Sequence, residues 1–252
     1  MNAAEQARLA RAEDRLWYSR ILRERVRHAC GEASLPNGAS VLDAGCGTGG
    51  LLRGLAAWRA DLRLHGVDLS PEACEHARAQ GGAEIREGSI EELPYEDARF
   101  RAIVSTDVLT QVESPLLALV ECFRCLEPGG WLVVNSAALP WLWSYHDERV
   151  QSLRRFRTRE LRTLIRQAGF ELRALTHWNC LLLPLAVLRR KVFPRGDGAS
   201  DVSVPPAPIN AALGGVARLE HLLGRAGLRY PIGSSLFAVA RRPMRRTRVH
   251  ES

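Results

Sequence analysis

Residues 41–50 read VLDAGCGTGG, a short apolar run that ends in an aspartate and is followed by a series of glycines. Such an apolar run is typical of a buried β-strand. The glycines at positions 45, 47 and 49 let the backbone turn tightly into a helix and let a ligand approach without meeting side chains. This stretch therefore predicts a strand, a turn and a helix that together bind a cofactor.

Asp43 indicates which kind of cofactor this turn binds. A turn that binds a pyrophosphate has the spacing G-x-G-x-x-G, with the anion at the N-terminus of the helix. Here the spacing is D-x-G-x-G-x-G, and an acidic residue two positions before the first glycine repels a phosphate. Asp43 suits instead a cofactor that carries a cationic amine.

Asp68 supports the same interpretation from the second predicted strand, LRLHGVDLS at residues 62–70. It lies about 20 residues beyond the glycine turn, where doubly wound nucleotide-binding folds place a carboxylate that accepts hydrogen bonds from both ribose hydroxyls. Taken alone, the glycines are compatible with a simple tight turn, and Asp68 with the capping of the helix that starts at Pro71. Their combination favours a cofactor site.

Short apolar runs alternate with helical stretches along most of the chain, which indicates βαβ units and a parallel sheet. We predict an α/β fold with a doubly wound, mainly parallel seven-stranded sheet and helices on both faces. An N-terminal cap, helical over 3–30, and a helical insertion between strands six and seven complete it. Residues 1–252 are expected to form one domain: cap 1–35, cofactor-binding core 36–178, insertion 179–226 with a flexible loop at 194–208, last strand 227–242 and basic tail 243–252.

The net charge of +7 comes from arginines that are interleaved with glutamates along the predicted helices. That pattern is typical of solvated helix faces, so we expect no nucleic-acid partner. The six cysteines show no disulfide framework; Cys122 and Cys125 form a CxxC, but in a helical pattern with no second Cys or His pair nearby, so we expect no metal. The N-terminus lacks the apolar core of a signal peptide, which predicts a cytoplasmic protein. The longest apolar run, residues 181–188, is too short to span a bilayer but allows peripheral membrane contact.

Several motifs together resemble the class I, Rossmann-like S-adenosylmethionine-dependent methyltransferases, in particular their bacterial small-molecule subgroup. The resemblance covers about residues 15–175. VLDAGCGTGG resembles the first motif of the family, and HGVDLSPEA is similar to its acidic loop after strand two. Further matches follow in the expected order: GSIEELPYEDARFRAIVSTDVL, LEPGGWLVV and RELRTLIRQAGF. The resemblance implies S-adenosylmethionine as cofactor and methyl transfer as activity.

The resemblance also implies which residues hold the cofactor. The glycine turn would bound the methionine end, Asp68 would hold the ribose, Leu69 would pack on the adenine, and the aromatic-basic helix near residue 18 would close over the cofactor. Alternatively, that helix provides only a buried aromatic anchor with a surface arginine. The implied set is Trp17, Tyr18, Arg20, Asp43, Ala44, Gly45, Cys46, Gly47, Asp68, Leu69, Ser89, Ile90 and Thr106.

The family pattern changes at three places where side chains serve binding or catalysis. Ser89 replaces a common aspartate, Thr110 and Gln111 replace Glu-His, and Gln151 and Ser152 replace Gly-His. The best remaining acid/base candidate is His146, because a loop after strand five faces the sheet edge where ligands bind, and histidine titrates near neutral pH. A structural histidine bonded to Asp147 or to the backbone is the alternative.

The predicted function is methyl transfer to an oxygen, nitrogen or carbon atom of an apolar or lipid-linked small molecule. Its pocket is expected to include Gln111, Trp141, Tyr145 and Trp178, and the three aromatic residues make it largely apolar. The alternative for these aromatic residues is that they belong to the ordinary core. One alternative is an enzyme of the same fold that binds the cofactor but catalyses a cyclisation or rearrangement. Another is a non-catalytic module that binds nucleic acid or anionic lipid through its arginines.

Overall fold

The computed structural model describes residues 14–192 and 204–244. Seven strands form a single sheet: β1 (Ser40–Ala44), β2 (Arg63–Asp68), β3 (Glu84–Glu87), β4 (Phe100–Thr106), β5 (Leu126–Ala137), β6 (Glu171–Trp178) and β7 (Ser235–Arg241). Their order in the sheet is β3-β2-β1-β4-β5-β7-β6. Strands β1 to β5 pair in parallel, and β7 runs antiparallel to both β5 and β6. The predicted seven-stranded, mainly parallel sheet is confirmed.

Helices cover both faces of this sheet, as predicted. They are α1 (Trp17–Glu32), α2 (Gly50–Trp58), α3 (Pro71–Gln80), α4 (Pro115–Cys125), α5 (Tyr145–Arg149), α6 (Thr158–Gln167), α7 (Leu183–Val187) and α8 (Ala207–Arg225). One apolar core packs α4 and α6 against the sheet, and a second packs α1, α2, α3 and α8 against the opposite face. The result is the three-layer arrangement of doubly wound folds.

Local sequence explains where several of these helices begin. The Ser70 hydroxyl accepts a hydrogen bond from the Ala73 N–H at 3.2 Å, and Pro71 takes the first helical position of α3. Ser114 and Pro115 repeat this arrangement at α4, with the Ser114 hydroxyl accepting from the Leu117 N–H at 3.3 Å. Both starts combine a hydroxyl cap with a proline that needs no N–H partner.

The N-terminal helix differs from the prediction of one helix over 3–30. Residues 14 and 15 are helical, Leu16 is not, and α1 then continues to Glu32. Leu16 has an extended backbone at the N-cap of α1 and therefore breaks the predicted helix. Residues 1–13 of that prediction lie outside the described residues.

The predicted helical insertion between strands six and seven is observed as α7, a π-helical turn at Leu188–Val192 and α8. The predicted loop at 194–208 falls largely outside the described residues, and α8 begins at Ala207 within its range. Most of the predicted basic tail, from residue 245 onward, also lies outside them. Within the described ranges, no helix is long and apolar enough to cross a membrane.

The carboxyl ends of β1, β2, β4 and β5 meet at one edge of the sheet because these strands are parallel. This edge is where ligands bind in open α/β sheets. It brings together the glycine turn after β1, the acidic loop after β2 and the loops after β4 and β5. The candidate site lies here.

Candidate functional site

The turn between β1 and α2 has a backbone that requires glycine at its first position. Gly45 has a φ of +88°, and the N–H groups of Gly45 and Cys46 both donate to the carbonyl of Val67, at 2.8 and 2.9 Å. A Cβ atom at Gly45 would lie 2.2 Å from Cγ2 of Val108. The turn is therefore packed directly against the loop that follows β4.

Gly47 has the opposite surroundings, which suit a ligand. Its φ is +50°, and an added Cβ would meet no atom within 4 Å. Its N–H donates to Oδ2 of Asp68 at 2.8 Å, while the Ser70 N–H donates to Oδ1 of the same carboxylate at 3.0 Å. Each carboxylate oxygen has two lone pairs, so one remains on each for a further donor such as a ribose hydroxyl.

The residues expected near the adenine occupy both exposed and buried positions. Leu69 is 67% exposed beside Asp68 and leaves an apolar surface for a ring. The Ser89 hydroxyl accepts a hydrogen bond from the Glu91 N–H at 3.0 Å and keeps its own O–H to donate. Ile90 is buried in the core. These observations fit the adenosine portion of S-adenosylmethionine.

At the methionine end, the expected residues are largely buried. Asp43, Ala44 and Cys46 are buried at the end of β1 and the start of the turn, and Thr106 is half-buried at the end of β4. Burial raises the pKa of the Cys46 thiol strongly, with the negative charges of Asp43 and Asp68 adding to the shift. Cys46 is thus a neutral wall of the turn rather than a nucleophile.

Asp107, Tyr18 and Asn135 form a hydrogen-bonded triad at the ends of β4 and β5. The Tyr18 hydroxyl donates to Oδ2 of Asp107 at 3.0 Å, and Nδ2 of Asn135 donates to Oδ1 at 2.7 Å. Nδ2 of Asn135 also donates to the Tyr18 hydroxyl at 3.0 Å. The carboxylate is thereby held by one donor on each oxygen, as Asp68 is.

Asp107 adopts a left-handed backbone with a φ of +62°, which is uncommon for a residue with a side chain. Two bonds hold it there: its N–H donates to the Asn135 carbonyl at 2.9 Å, and the Thr110 hydroxyl donates to its carbonyl at 3.0 Å. Strained positions of this kind persist when their surroundings fix them and are concentrated at functional sites. Thr110, a departure from the family pattern, therefore fixes the Asp107 backbone.

Electrostatics at the triad favour a poised carboxylate. Burial raises the pKa of Asp107 to about 6, while its hydrogen bonds with Tyr18 and Asn135 and the charge of Arg155 lower it. Burial, followed by the negative charge of Asp107, raises the pKa of Tyr18 far above its usual value. Near neutral pH the pair therefore consists of an ionised carboxylate and a neutral phenol.

Trp178 supports this triad from behind. It is 1% exposed, its Nε1–H donates to Oδ1 of Asn135 at 2.7 Å, and its ring stacks on Tyr18 with centroids 5.0 Å apart. We expected Trp178 to line the substrate pocket, and that expectation is wrong. The antiparallel pairing of β6 with β7 places Trp178 inside the core, where it orients Asn135 and Tyr18.

A cavity of about 360 Å³ lies beside the triad. Tyr18 and Asp107 belong to its wall, which is closed by the N-terminus of α1, by α5, by the insertion and by the loop before β7. Its apolar lining residues include Leu16, Trp17, Ala137, Val150, Leu182, Leu185, Ala186 and Leu213. Its polar lining residues include Thr110, Gln111, His146, Ser152, Arg155, Asn179, Arg189, Arg190 and Ser235.

His146 lies on this wall because the short helix α5 is fixed in place. The Asp147 carboxylate accepts from the Ser144 N–H at 2.9 Å and from Nε of the buried Arg155 at 2.7 Å. Arg155 in turn donates to the Ala138 carbonyl at 2.8 Å. The helix that carries His146 is thus tied to the end of β5. Gln111 and Ser152, two of the positions that depart from the family pattern, line the same cavity.

Besides Trp178, the expected pocket residues Trp141 and Tyr145 and the expected cofactor residue Arg20 do not line the cavity. Trp141 is half-exposed in the 3₁₀ turn Pro140–Leu142, and Tyr145 begins α5 without lining the cavity. Arg20 is exposed on α1. The helical periodicity of these segments turns them away from the neighbours that form the wall.

Sequence reasoning missed Asp107 and Asn135. Asp107 is the first residue after β4, so a charged side chain at a strand end was available as a signal. Asn135 interrupts the apolar run WLVV in β5 and is completely buried, which requires hydrogen-bond partners. Within the described residues, no cluster of three or more histidine, cysteine or acidic side chains could hold a metal ion.

The methyltransferase-domain family model matches residues 42–134, from the glycine turn to the middle of β5. This part of the chain is similar to a methyltransferase domain. The family uses S-adenosylmethionine, in agreement with the cofactor that the glycine turn and Asp68 fit. The match includes Asp43, Asp68 and Asp107 but ends just before Asn135.

Comparison with known proteins extends this likeness to most of the fold. A stretch of 174 residues is 32% identical to an S-adenosylmethionine-dependent methyltransferase of Mycolicibacterium smegmatis, covering 64% of this chain and 61% of that protein. The chain spans less than two thirds of the length of the curated relatives it matches. The alignment therefore supports the domain more strongly than any whole-protein activity.

Two solved structures show the same fold. A Haloferax volcanii chain, from a complex with the Trm112 methyltransferase activator, has a TM-score of 0.64 and 22% identity over 96% of both chains. The [4+2]-cyclase SpnF has a TM-score of 0.59 and 21% identity, covering 88% of this chain and 82% of its own. The architecture is thus shared by proteins with different chemistry.

Proposed function

We propose that the chain is an S-adenosylmethionine-dependent methyltransferase that acts on an amphiphilic small molecule. The observation that carries this proposal is the joining of two sites through adjacent residues. Val108 packs against Gly45 in the cofactor turn, and Asp107 next to it belongs to the wall of the cavity. A cofactor on the turn and an acceptor in the cavity would therefore meet at the loop after β4.

The cofactor supplies an electrophilic methyl group when it is bound. The chain's own residues would hold it: Asp43, Gly45 and Gly47 at the methionine end, with Asp68, Leu69, Ser89 and Ile90 around the adenosine. Trp17 and Tyr18 would close the site from α1, near Thr106. Holding both reactants in line is the main requirement of methyl transfer, so positioning and the exclusion of water are the principal tasks of these residues.

The lining of the cavity supports an acceptor with an apolar body and a polar or anionic end. Leucine, tryptophan and valine side chains form one part of the wall, whereas Arg155, Arg189 and Arg190 contribute positive charge to another. The lining is mainly apolar, and these charged side chains add a polar part to it. Cytoplasmic localisation, expected from the spacing of the cysteines in the sequence, is part of this proposal.

His146 is the proposed general base. A ring nitrogen of His146 would accept the proton that an acceptor hydroxyl or amine loses. Asp107 would act as a positioning residue through Tyr18. His146→Gln should lower the turnover rate by about a hundredfold or more while leaving cofactor affinity unchanged.

The experiment has two readouts. Calorimetry measures binding of S-adenosylmethionine, and mass spectrometry measures S-adenosylhomocysteine formed with long-chain phenols, alcohols and amines as acceptors. His76→Gln, on the surface of α3, is the matched control. Cofactor binding with release of S-adenosylhomocysteine supports the proposal. A cofactor dissociation constant weaker than millimolar would refute it.

A second candidate is a cyclisation or rearrangement with the cofactor bound but not consumed. Two observations favour it. The fold is shared with SpnF. In addition, Gln111 and Ser152 occupy positions where the family often has histidine, and Gln151 replaces the glycine before the second of these. The same assay separates the two candidates. Acceptor conversion without release of S-adenosylhomocysteine would select this second function.

A further inference from the structure

The insertion after β6 exposes a stripe of large apolar side chains. Leu181, Leu185, Leu188 and Val192 are 46%, 49%, 45% and 56% exposed. Their spacings of four, three and four residues are those of one helical face. They occupy the turn before α7, α7 itself and the π-helical turn that continues it. We call these four residues the apolar stripe.

The other side of the same segment forms part of the cavity wall. Leu182, Ala186, Arg189 and Arg190 line the cavity, and Leu185 both lines it and belongs to the stripe. A single short segment therefore separates the proposed acceptor cavity from the surroundings of the protein. Ile209, exposed one helical turn before the cavity residue Leu213 on α8, extends the apolar rim.

Positive charge adjoins the apolar stripe. Arg189, Arg190 and Lys191 are consecutive, and residues 180–192 contain no aspartate or glutamate. Lys191 is exposed, and its Nζ donates to the Trp143 carbonyl at 2.7 Å, which ties the segment to the 3₁₀ turn after β5. A segment with leucines on one face and cations beside them is the composition of a helix that lies in a membrane interface.

We propose that the apolar stripe docks on the surface of an anionic lipid bilayer. The exposed area of four side chains is much smaller than the roughly 800 Å² per partner that a stable protein interface buries. Anionic lipids complement the exposed Lys191 and, at longer range, the half-buried Arg189 and Arg190 on the cavity side of the segment. Docking itself is independent of the proposed function. The entry of an amphiphilic acceptor from the bilayer past Leu185, however, rests on the proposed function.

Vesicle co-sedimentation of the full chain tests the docking. Vesicles of phosphatidylcholine are compared with vesicles of equal parts phosphatidylcholine and phosphatidylglycerol, at low and at high salt. The test variant is Leu181→Gln/Leu188→Gln, which changes neither a cavity residue nor a residue of the cofactor turn. The matched control is Leu117→Gln/Leu219→Gln, whose side chains are 47% and 52% exposed on α4 and α8.

We expect the wild type to bind the anionic vesicles at least tenfold more tightly than the neutral ones, and salt to weaken that binding. The test variant should lose at least tenfold in affinity and the control should not. Cofactor affinity, measured by calorimetry, should be equal in all three proteins, which separates loss of docking from loss of fold or of the proposed function. Wild-type protein that stays in the supernatant, equal binding by both variants, or a dimer in light scattering that the test variant abolishes would overturn the proposal.

Discussion

Two regions lie at the same sheet edge but are built differently. One is the cofactor turn, residues 45–49 with Asp68. The other is the acceptor wall, which is the lining of the cavity together with the triad of Tyr18, Asp107 and Asn135. In the cofactor turn, Gly47 and Asp68 are 21 residues apart and follow neighbouring strands. In the acceptor wall, Tyr18 bonds with Asp107 across 89 residues, and Asn135 bonds with Tyr18 across 117. The turn is a nearly local structure, whereas the wall exists only when the N-terminal helix, two strands and the insertion are assembled. Cofactor binding should therefore depend on few residues and acceptor binding on many.

The largest expected effect is at the centre of the cofactor turn. Asp68→Ala removes the acceptor for the Gly47 and Ser70 N–H groups as well as the proposed ribose contact. Two hydrogen bonds to a charged group correspond to roughly a thousandfold in affinity. Calorimetry should find that S-adenosylmethionine binding is lost, while circular dichroism remains that of the wild type.

Asp97→Ala provides the control for this change, because Asp97 is an exposed carboxylate that pairs with Arg124 at 2.8 Å. Its cofactor affinity should equal that of the wild type. Wild-type affinity in Asp68→Ala would remove the basis for treating the turn as a local cofactor site.

A second prediction compares two glycines within the turn. Gly45→Ala places a Cβ 2.2 Å from Val108 at a φ of +88°, so steric overlap and backbone strain should lower the free energy of unfolding by about 3 kcal/mol. Gly47→Ala meets no neighbour and should cost only about 1 kcal/mol. Urea unfolding measures both values.

Adding Val108→Ala to Gly45→Ala should recover part of the lost stability, since it removes the methyl groups that the new Cβ meets. Equal destabilisation by the two alanines would show that backbone conformation alone decides the turn and that its packing on the β4 loop is unimportant.

A third prediction concerns the acceptor wall and pH. Burial raises the pKa of Asp107 to about 6, so the ionised carboxylate is less favourable in the folded than in the unfolded protein. Its contribution to stability is therefore complete at pH values below its unfolded pKa near 4 and is lost as the pH rises through about 6. Asp107→Asn should remove this loss, which amounts to about 3 kcal/mol.

The measurement is urea unfolding of wild type and Asp107→Asn at intervals between pH 4 and pH 8. The difference between the two proteins should change over the interval from about 4 to 6 and be constant above about 7. Asp97→Asn, at an exposed position, should show no such change. A pH-independent difference for Asp107→Asn would mean that its carboxylate titrates as an ordinary surface group.

The smallest expected effect on stability is that of Trp178, which packs behind Tyr18 in the core. Trp178→Phe deletes the Nε1–H that donates to Asn135 and leaves that buried amide oxygen without its donor, at a cost of about 1.5 kcal/mol. Thermal denaturation should show a decrease in Tm of a few degrees. Trp58→Phe, on α2, is the control and should change Tm less; an equal decrease would argue against a specific role of the Asn135 bond.

The local geometry of the glycine turn was predictable from the sequence. The glycine spacing, the acid two residues before it and the acid about 20 residues after it are short patterns, and the structure brings Gly47 and Asp68 together as that spacing requires. The alternation of strands and helices likewise predicted the sheet and its two helical faces. Leu16 was the exception, because one extended residue interrupts an otherwise continuous helical pattern.

The acceptor side was predicted less well. Trp178 was expected in the pocket because aromatic residues often line apolar sites, yet its β6 position places it in the core behind Tyr18. Asp107 and Asn135 were overlooked because neither has a partner nearby in the chain. The assignment of His146 as base stays a prediction, although its place on the cavity wall agrees with it.

By itself, the sequence predicted an α/β core with a glycine turn and an acidic residue beside it, because that turn depends on backbone conformations and spacings within about 30 residues. Only the tertiary structure decided which side chains face the acceptor, which aromatic residues are core and which leucines remain exposed on the insertion. The physical reason is that periodicity reports that one face of an element is apolar but not what covers it. Hydrogen bonds between residues about 90 to 120 positions apart form only after the whole sheet has been assembled.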